Sequence, residues 1–195
     1  MGLTLATPIA NARTILNDIE EEYRYSDPDL LDYANGAIRV LAEAKPEWLL
    51  AVATHTCVAG SRQSLDADES HRFVSVVGLT QADRSALDAF SPGWRTTVSA
   101  GDAEQWMLVP GSPLDFEVYP PAELGQELSV EHIKAPGPFA DTDDTGLPAT
   151  LSDAIAEYIC GMAEMRDDEH VNSGRVDALH ARFLARLGIK TKASA

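Results

Sequence analysis

The chain of 195 residues suits one domain, which should bury roughly 70% of the surface that its unfolded chain exposes. Its 31 Asp and Glu residues outnumber 15 Lys and Arg residues, and the resulting formal charge of -16 argues against an outer surface that binds nucleic-acid phosphates. Cys57 and Cys160 lack the spacing of zinc ligands or of a disulfide framework, so we expect two buried, reduced thiols.

The opening sequence MGLTLATPIANAR has no cationic segment followed by an apolar run, and no window of the chain reaches the length of a membrane span. We therefore expect a protein that is made in the cytoplasm and has no membrane partner.

Two helices are predicted at the start of the chain. Thr7 before Pro8 has the pattern of an N-cap followed by a first helical residue, and Ser26 with Asp29 resembles a capping box. The apolar face of the first helix consists of Ala12, Ile15, Leu16, Ile19 and Tyr23, and that of the second of Leu30, Ala34, Ala37, Ile38 and Leu41. The short connection predicts an antiparallel hairpin over residues 7–45.

A β insertion is predicted over residues 47–136, where apolar and polar residues alternate. The predicted strands cover residues 49–58, a return strand of a hairpin that ends near 65, and then 72–79, 104–110, 114–121 and 126–135. Thr80 and Asp83 resemble the capping box of a short helix that the Pro92-Gly93 pair ends. The pattern predicts a small antiparallel sheet or sandwich.

Two further helices are predicted over residues 150–188, after a connection rich in Pro, Gly and Asp. Thr150 with Asp153 resembles the cap of the first, and the second begins near Asn172 and ends at Gly188. Their apolar faces consist of Leu151, Ile155, Tyr158, Ile159 and Met162, and of Val176, Leu179, Phe183 and Leu187.

The sequence therefore predicts an α+β fold. Two terminal helical hairpins form one bundle, a central antiparallel β insertion lies between them, and residues 1–188 make a single domain. Residues 189–195 form a flexible C-terminal tail.

The sequence offers little support for catalysis or a cofactor. Asp141, Asp143 and Gly146 resemble the start of a calcium loop, but Ser152 occupies the position that needs a bidentate carboxylate, so we interpret them as turn-forming residues. His55 and His132 are expected to make ordinary hydrogen bonds on a sheet face, and Trp106 and Tyr119 to pack in the core. No phosphate-binding loop and no serine-nucleophile motif accompanies them. We expect no enzyme activity, no metal and no cofactor.

The stretch LDAFSPGW at residues 87–94 contains a rigid Pro-Gly turn with an indole immediately after it. Tryptophan is enriched at interaction hot spots, so Trp94 could anchor a contact between subunits or against a neighbouring ring. Alternatively, it covers the edge of a sheet inside its own subunit.

Taken together, the motifs resemble the head-to-tail adaptor (connector) proteins of tailed bacteriophages, especially those of short-tailed phages. The matching segments are ARTILND, SDPDLLDYANGAIRVLAEAKP, VAGSRQSL, DRSALDAFSPGW, FEVYPP and FLARLG, in this order from residue 12 to residue 188. The loops at 66–71 and 141–146 depart from the pattern.

This resemblance implies a virion protein that forms a ring of twelve copies below the portal and presents a platform to the tail tube or nozzle. DNA would pass through the ring without specific binding, since an acidic bore repels DNA within a Debye length of about 8 Å. The candidates for acidic bore residues are Glu20, Glu21, Glu22, Asp167, Asp168 and Glu169.

The resemblance also implies contact surfaces. The candidates for an inter-subunit or tail interface are Arg84, Asp88 and Trp94. In this family the C-terminal end reaches into clefts between portal subunits, so Ile189, Lys190 and Lys192 are the candidates for portal docking, with the tail ordered only against the portal.

Two other function classes are compatible with the composition. One is a small acidic assembly factor or DNA mimic that acts as a monomer. The other is a carboxylate-metal hydrolase that would use Asp143, Asp144, Glu164 and His170.

Overall fold

The computed structural model describes residues 2–20, 22–96, 101–166 and 173–189. The chain divides into two compact units: a helical unit made of the described residues of Met1–Leu49 and Pro136–Ala195, and a β unit, Leu50–Ala135. The mixed α+β class predicted from the sequence is confirmed. The grouping of residues 1–188 as a single domain stays a prediction.

The helical unit is centred on one helix. Its helices are α1 (Ala6–Leu16), α2 (Asp27–Ala44), α4 (Ser152–Met165) and α5 (Ser173–Arg186), while α3 (Arg84–Phe90) lies in the β unit. α4 packs against α1, α2 and α5, and α1 contacts α4 more extensively than it contacts α2. The arrangement as two terminal hairpins is therefore not confirmed. No helix in the described ranges is long and apolar enough to cross a membrane.

The apolar stripes of α2 and α5 are confirmed. Ser26 is the N-cap of α2, and its Oγ accepts a hydrogen bond from the backbone N–H of Asp29 at 3.3 Å. The buried residues are Leu30, Ala34, Ala37, Ile38 and Leu41 on α2, and Leu179, Phe183 and Leu187 at the end of the chain. Such a stripe is buried because residues spaced three or four apart lie on the same face of an α-helix.

Three predicted helix ends are wrong. α1 begins at Ala6 after Leu5, without a side-chain cap, so Thr7 is not its N-cap. Thr150 lies in a 3₁₀ turn (Ala149–Leu151) before α4, because this turn delays the first α-helical hydrogen bonds. In the β unit, Asp83 rather than Thr80 caps α3, through its carboxylate and the backbone N–H of Ser85.

The apolar face predicted for the first helix is too long. α1 ends at Leu16, because Asn17 adopts the left-handed conformation, with φ of 55°. Ile19 and Tyr23 therefore lie in the loop before α2 and are exposed.

The described residues of the β unit form two sheets. The strands are β1 (Leu50–Thr56), β2 (Gly60–Ser64), β3 (Ser70–Val76), β4 (Thr80–Gln81), β5 (Gln105–Leu108), β6 (Asp115–Ala122) and β7 (Glu127–Lys134). One sheet has the order β1-β7-β3 and the other β2-β6-β5-β4. All pairs are antiparallel except β4 with β5, a short parallel pair that the sequence did not indicate.

The predicted hairpin of the first two strands is wrong. β1 pairs with β7, and β2 pairs with β6, so the chain changes sheets between them. The side chain of Gln63 stabilises the segment between the two strands. Its Oε1 accepts a hydrogen bond from the N–H of Val58, and its Nε2 donates to the C=O groups of Val58 and Gly60, each at 2.9 Å. Hydrogen bonds of this side chain thus take the place of the backbone hydrogen bonds that a hairpin would have.

The core of the β unit is aromatic. The rings of Phe73 and Phe116 stack at a centroid distance of 4.4 Å, and Trp106 meets Phe73 edge to face at 5.3 Å. Trp106 is buried, as predicted, and Tyr119 is half-buried. The prediction that both cysteines are buried and unpaired is also confirmed, and burial raises the pKa of the Cys160 thiol to about 12.

Candidate functional site

A buried carboxylate organises the charged side chains around α3. Glu117 lies in β6, an inner strand of the four-stranded sheet, and is only 3% exposed. Its Oε1 accepts a hydrogen bond from Nε of Arg95 at 2.9 Å, and its Oε2 lies 3.0 Å from Nε of Arg84. A charge removed from water costs several kcal/mol unless it is paired, and these two guanidinium groups supply the pairing.

Trp94 is attached to the same group of side chains. The Pro92-Gly93 turn, in which Gly93 has a φ of 85°, directs the indole inward, where it is 1% exposed. Its Nε1 donates a hydrogen bond to Oδ1 of Asp88 at 2.9 Å, and the guanidinium carbon of Arg95 lies 4.2 Å from its ring centroid. Arg95 also bonds Asp88.

We call Arg84, Asp88, Trp94, Arg95 and Glu117 the Glu117 cluster. The structure brings all three residues predicted for an interface into it, and adds Arg95 and Glu117, which the sequence reasoning missed. The sequence places Glu117 at a polar position of an alternating segment, between Phe116 and Val118, so no local signal marks it as buried. The burial of Trp94 favours the intrachain alternative for the indole, while the interface role of this segment stays a prediction.

Asp88 and Arg95 keep their charges near neutral pH. Hydrogen bonds from Arg95 and then from Trp94 lower the pKa of Asp88. Hydrogen bonds to Asp88 and Glu117 raise the pKa of Arg95. An aspartate and an arginine shifted in these directions keep their charges and exchange no proton near pH 7. The arrangement therefore positions the chain and does not suit acid-base chemistry.

The residue that this segment exposes is Phe90. It is the last residue of α3 and is 88% exposed, although a helix of this composition would be expected to bury an aromatic ring. The Pro-Gly turn thus buries the indole and leaves the phenyl ring in solvent.

The carboxylates of the hydrolase hypothesis have structural partners. Asp143 accepts a hydrogen bond from the N–H of Ala140 at 2.8 Å, which confirms it as a turn-forming residue, and Asp144 accepts one from the N–H of Gly146 at 2.9 Å. Glu164 pairs with Arg175. His170 lies outside the described residues. Within the described ranges, no group of three or more His, Cys, Asp or Glu could hold a metal ion.

The two strand histidines differ from each other. Nδ1 of His132 lies 2.7 Å from Oγ of Ser70, so this pair makes the ordinary hydrogen bond that was predicted. His55 contacts the ring of Phe116, and its Nε2 is buried without a hydrogen-bond partner among the described residues. Burial lowers the pKa of both histidines, so both are neutral at pH 7.

The comparison with protein families decides the class of protein. The model of the SU10 adaptor protein family matches residues 3–195, nearly the whole chain. The chain belongs to the SU10 adaptor protein family. A sequence comparison with curated proteins finds no match. Membership confirms the resemblance to phage head-to-tail adaptors, and it makes the protein a structural component of the virion.

The acidic bore candidates of the adaptor are only partly within the described residues. Glu20 and Glu22 are exposed in the loop between α1 and α2, whereas Glu21, Asp167, Asp168 and Glu169 lie outside the described ranges. This loop is folded around a buried arginine. Arg13 bonds Oδ2 of Asp18 at 2.6 Å and lies 3.9 Å from the ring centroid of Tyr23.

The portal-docking candidates of the adaptor are divided in the same way. Lys190 and Lys192 lie outside the described residues, but Ile189 does not. With Gly188 at a φ of 70°, the N–H of Ile189 donates to the C=O of Leu184 at 2.9 Å, which closes α5 with a Schellman motif. Ile189 is also half-buried. Ile189 therefore has a hydrogen-bond partner within the chain, while its role at the portal stays a prediction.

Proposed function

We propose that this adaptor assembles into a ring that joins the portal to the tail tube or nozzle and leaves a passage for DNA. The observation that carries this proposal is the family match over residues 3–195. The order of twelve copies and the identity of the two neighbours come from the resemblance to head-to-tail adaptors. Adaptors of this kind are made in the host cytoplasm and become part of the virion.

The charge of the chain supports a conduit. Each copy carries a formal charge of -16, so a ring carries a large net negative charge. A basic lining would bind phosphates, and each such contact would slow the movement of DNA. Acidic side chains instead repel the duplex from the wall over about 8 Å.

The exposed loop between α1 and α2 is our candidate for part of this lining. Asp18 accepts hydrogen bonds from the backbone N–H groups of Arg24 and Tyr25 at 2.7 and 3.3 Å, which connect the two ends of the segment that carries Glu20 and Glu22. Because its ends are connected, the loop keeps these two exposed carboxylates close to the helical unit.

Native mass spectrometry of the adaptor, alone and with purified portal protein, tests the proposal. We expect a complex of the portal with a ring of adaptor copies, whether or not the adaptor forms oligomers alone. A single copy that binds no portal would contradict the ring. If this monomer also competes with DNA for a DNA-binding protein, the result would support the alternative function, that of an acidic assembly factor or DNA mimic.

A further inference from the structure

β1 has a free, regular edge. Among the described residues it pairs only with β7, and the register runs without a bulge from Leu50 opposite Ile133 to Thr56 opposite Glu127. The other side of the strand therefore presents backbone N–H and C=O groups that no strand within the described ranges covers. Such an edge is a template for pairing with another chain.

The register identifies the residues that face outward. The N–H of Cys57 donates to the C=O of Gln126 at 2.7 Å, so the backbone of Cys57 points toward β7. Because successive residues of a strand point their backbone groups to opposite sides, those of Val52, Thr54 and Thr56 point to the free edge. The side chains of these three residues are also exposed, that of Val52 by 61%.

The edge of β1 lacks the usual protection. Its sequence, LAVATHT, contains no Asp, Glu, Lys, Arg or Pro, and burial lowers the pKa of its histidine, which is neutral at pH 7. Natural sheets commonly block an edge with charge, proline or a bulge.

The other sheet edges in the described residues are protected. β3 has register shifts after Ser70 and Phe73 and carries the exposed Arg72. β2 has a shift after Gly60 and an ion pair between Arg62 and Asp115. β4 has only two residues. β1 is thus the one long, uncharged and regular edge in this part of the chain.

We propose that the free edge of β1 accepts an extended strand from a second copy of this chain, which joins the sheets of neighbouring copies. This inference rests on the proposed ring and names the surface through which its copies meet. Two copies that each carry -16 repel one another, so they approach at least cost along an uncharged segment. Backbone hydrogen bonds then supply attraction that does not depend on charge.

The geometry of a ring restricts the strand that is donated. If β1 paired with β1 of the second copy, the contact would be symmetric and assembly would stop at two copies. A ring requires a head-to-tail contact, so the donated strand comes from a different segment of the neighbouring copy.

The test compares Val52→Lys with Val58→Lys. Both valines are exposed, by 61% and 56%, but Val58 lies beyond the end of β1. A lysine makes each copy less acidic, so weaker assembly cannot result from stronger repulsion. We expect Val52→Lys to weaken assembly at least about tenfold, and Val58→Lys to assemble like the native protein. Mass is measured by sedimentation, alone and with portal, and melting curves check the fold of both variants.

Hydrogen exchange gives a second readout that requires no variant. In the assembled protein, the amides of Val52, Thr54 and Thr56 should become protected, whereas those of Ala51 and Ala53 should be protected in the free subunit as well. Assembly without this alternating protection, or equal assembly by Val52→Lys, overturns the inference and leaves the ring standing. A native protein that stays monomeric alone and with portal overturns both.

Discussion

Nε1 of Trp94 donates a 2.9 Å hydrogen bond to Oδ1 of Asp88, across the Pro-Gly turn that separates the two residues. The bond connects the end of α3 to an indole that is buried against the four-stranded sheet. α3 is a short helix that has no buried residue of its own, so its contact with the indole fixes its position. This contact explains why a tryptophan directly follows the turn.

The first prediction concerns the volume of the indole. Trp94→Ala should lower the free energy of unfolding by about 3–5 kcal/mol, as for other large aromatic side chains in cores. Trp94→Phe keeps most of the packing and loses the hydrogen bond to Asp88, so it should cost about 1–2 kcal/mol. Urea denaturation followed by near-ultraviolet circular dichroism measures both values. A cost below about 1 kcal/mol for Trp94→Ala would show that the indole is not packed in the core.

The second prediction concerns the buried carboxylate. Glu117→Gln removes the carboxylate partner of Arg84 and leaves Arg95 paired with Asp88 alone. Because the two arginine side chains are 36% and 32% exposed and can turn toward water, we expect a cost of about 2–3 kcal/mol, below the range for fully buried pairs. Glu127→Gln, at an exposed position of β7, is the control and should change stability by less than about 0.5 kcal/mol. Equal effects of the two variants in urea denaturation would contradict the role of Glu117.

The third prediction concerns pH. Hydrogen bonds from Arg95 and Trp94 hold the pKa of Asp88 in the folded protein below its usual value of 3.8. The unfolded chain therefore binds the proton first, and the stabilisation is complete above pH 3.8 and is lost as the pH falls through the lower folded pKa. Asp88→Asn should be less stable than the native protein at pH 7, and the difference should shrink below about pH 4. Urea denaturation over a pH series measures it, and a difference that does not change with pH would exclude Asp88 as its source.

The elements that the sequence predicted well are those with a strong local signal. α2 and α5 carry apolar stripes over several turns, and Ser26 caps α2 as its spacing with Asp29 indicates. Strands were located wherever β-branched residues alternate with polar ones. Local periodicity is sufficient for such elements, since it determines which face of an element is apolar.

Strand pairing and the exposure of aromatic residues could not be predicted in the same way. β1 pairs with β7, far along the chain, and alternation carries no information about which strand is the partner. α3 has only seven residues, so spacing did not determine that Phe90 would be exposed and Trp94 buried. Tertiary contacts decided both outcomes.

The fourth prediction concerns the acidic loop between α1 and α2. If Glu20 and Glu22 line the bore, the Glu20→Lys/Glu22→Lys variant should retain duplex DNA in the assembled ring, with an affinity that falls steeply as salt rises. The control is Glu104→Lys/Glu123→Lys, which reverses two exposed charges of the β unit. Filter binding at several salt concentrations measures retention. Equal DNA binding by the two variants would contradict the bore assignment.

The last prediction separates two roles at the C-terminus. Ile189 closes α5 through its bond to Leu184, so deletion of residues 189–195 removes a helix-terminating contact along with the basic pair Lys190 and Lys192. Deletion of 190–195 keeps this contact. We expect the shorter deletion to leave thermal melting unchanged and to weaken portal binding in a pull-down, because the lysines would meet portal carboxylates. The longer deletion should also lower the melting temperature, since the C=O of Leu184 loses its partner and a half-buried side chain is removed. Full portal binding by the protein without residues 190–195 would refute docking through the lysines, while leaving the adaptor assignment intact.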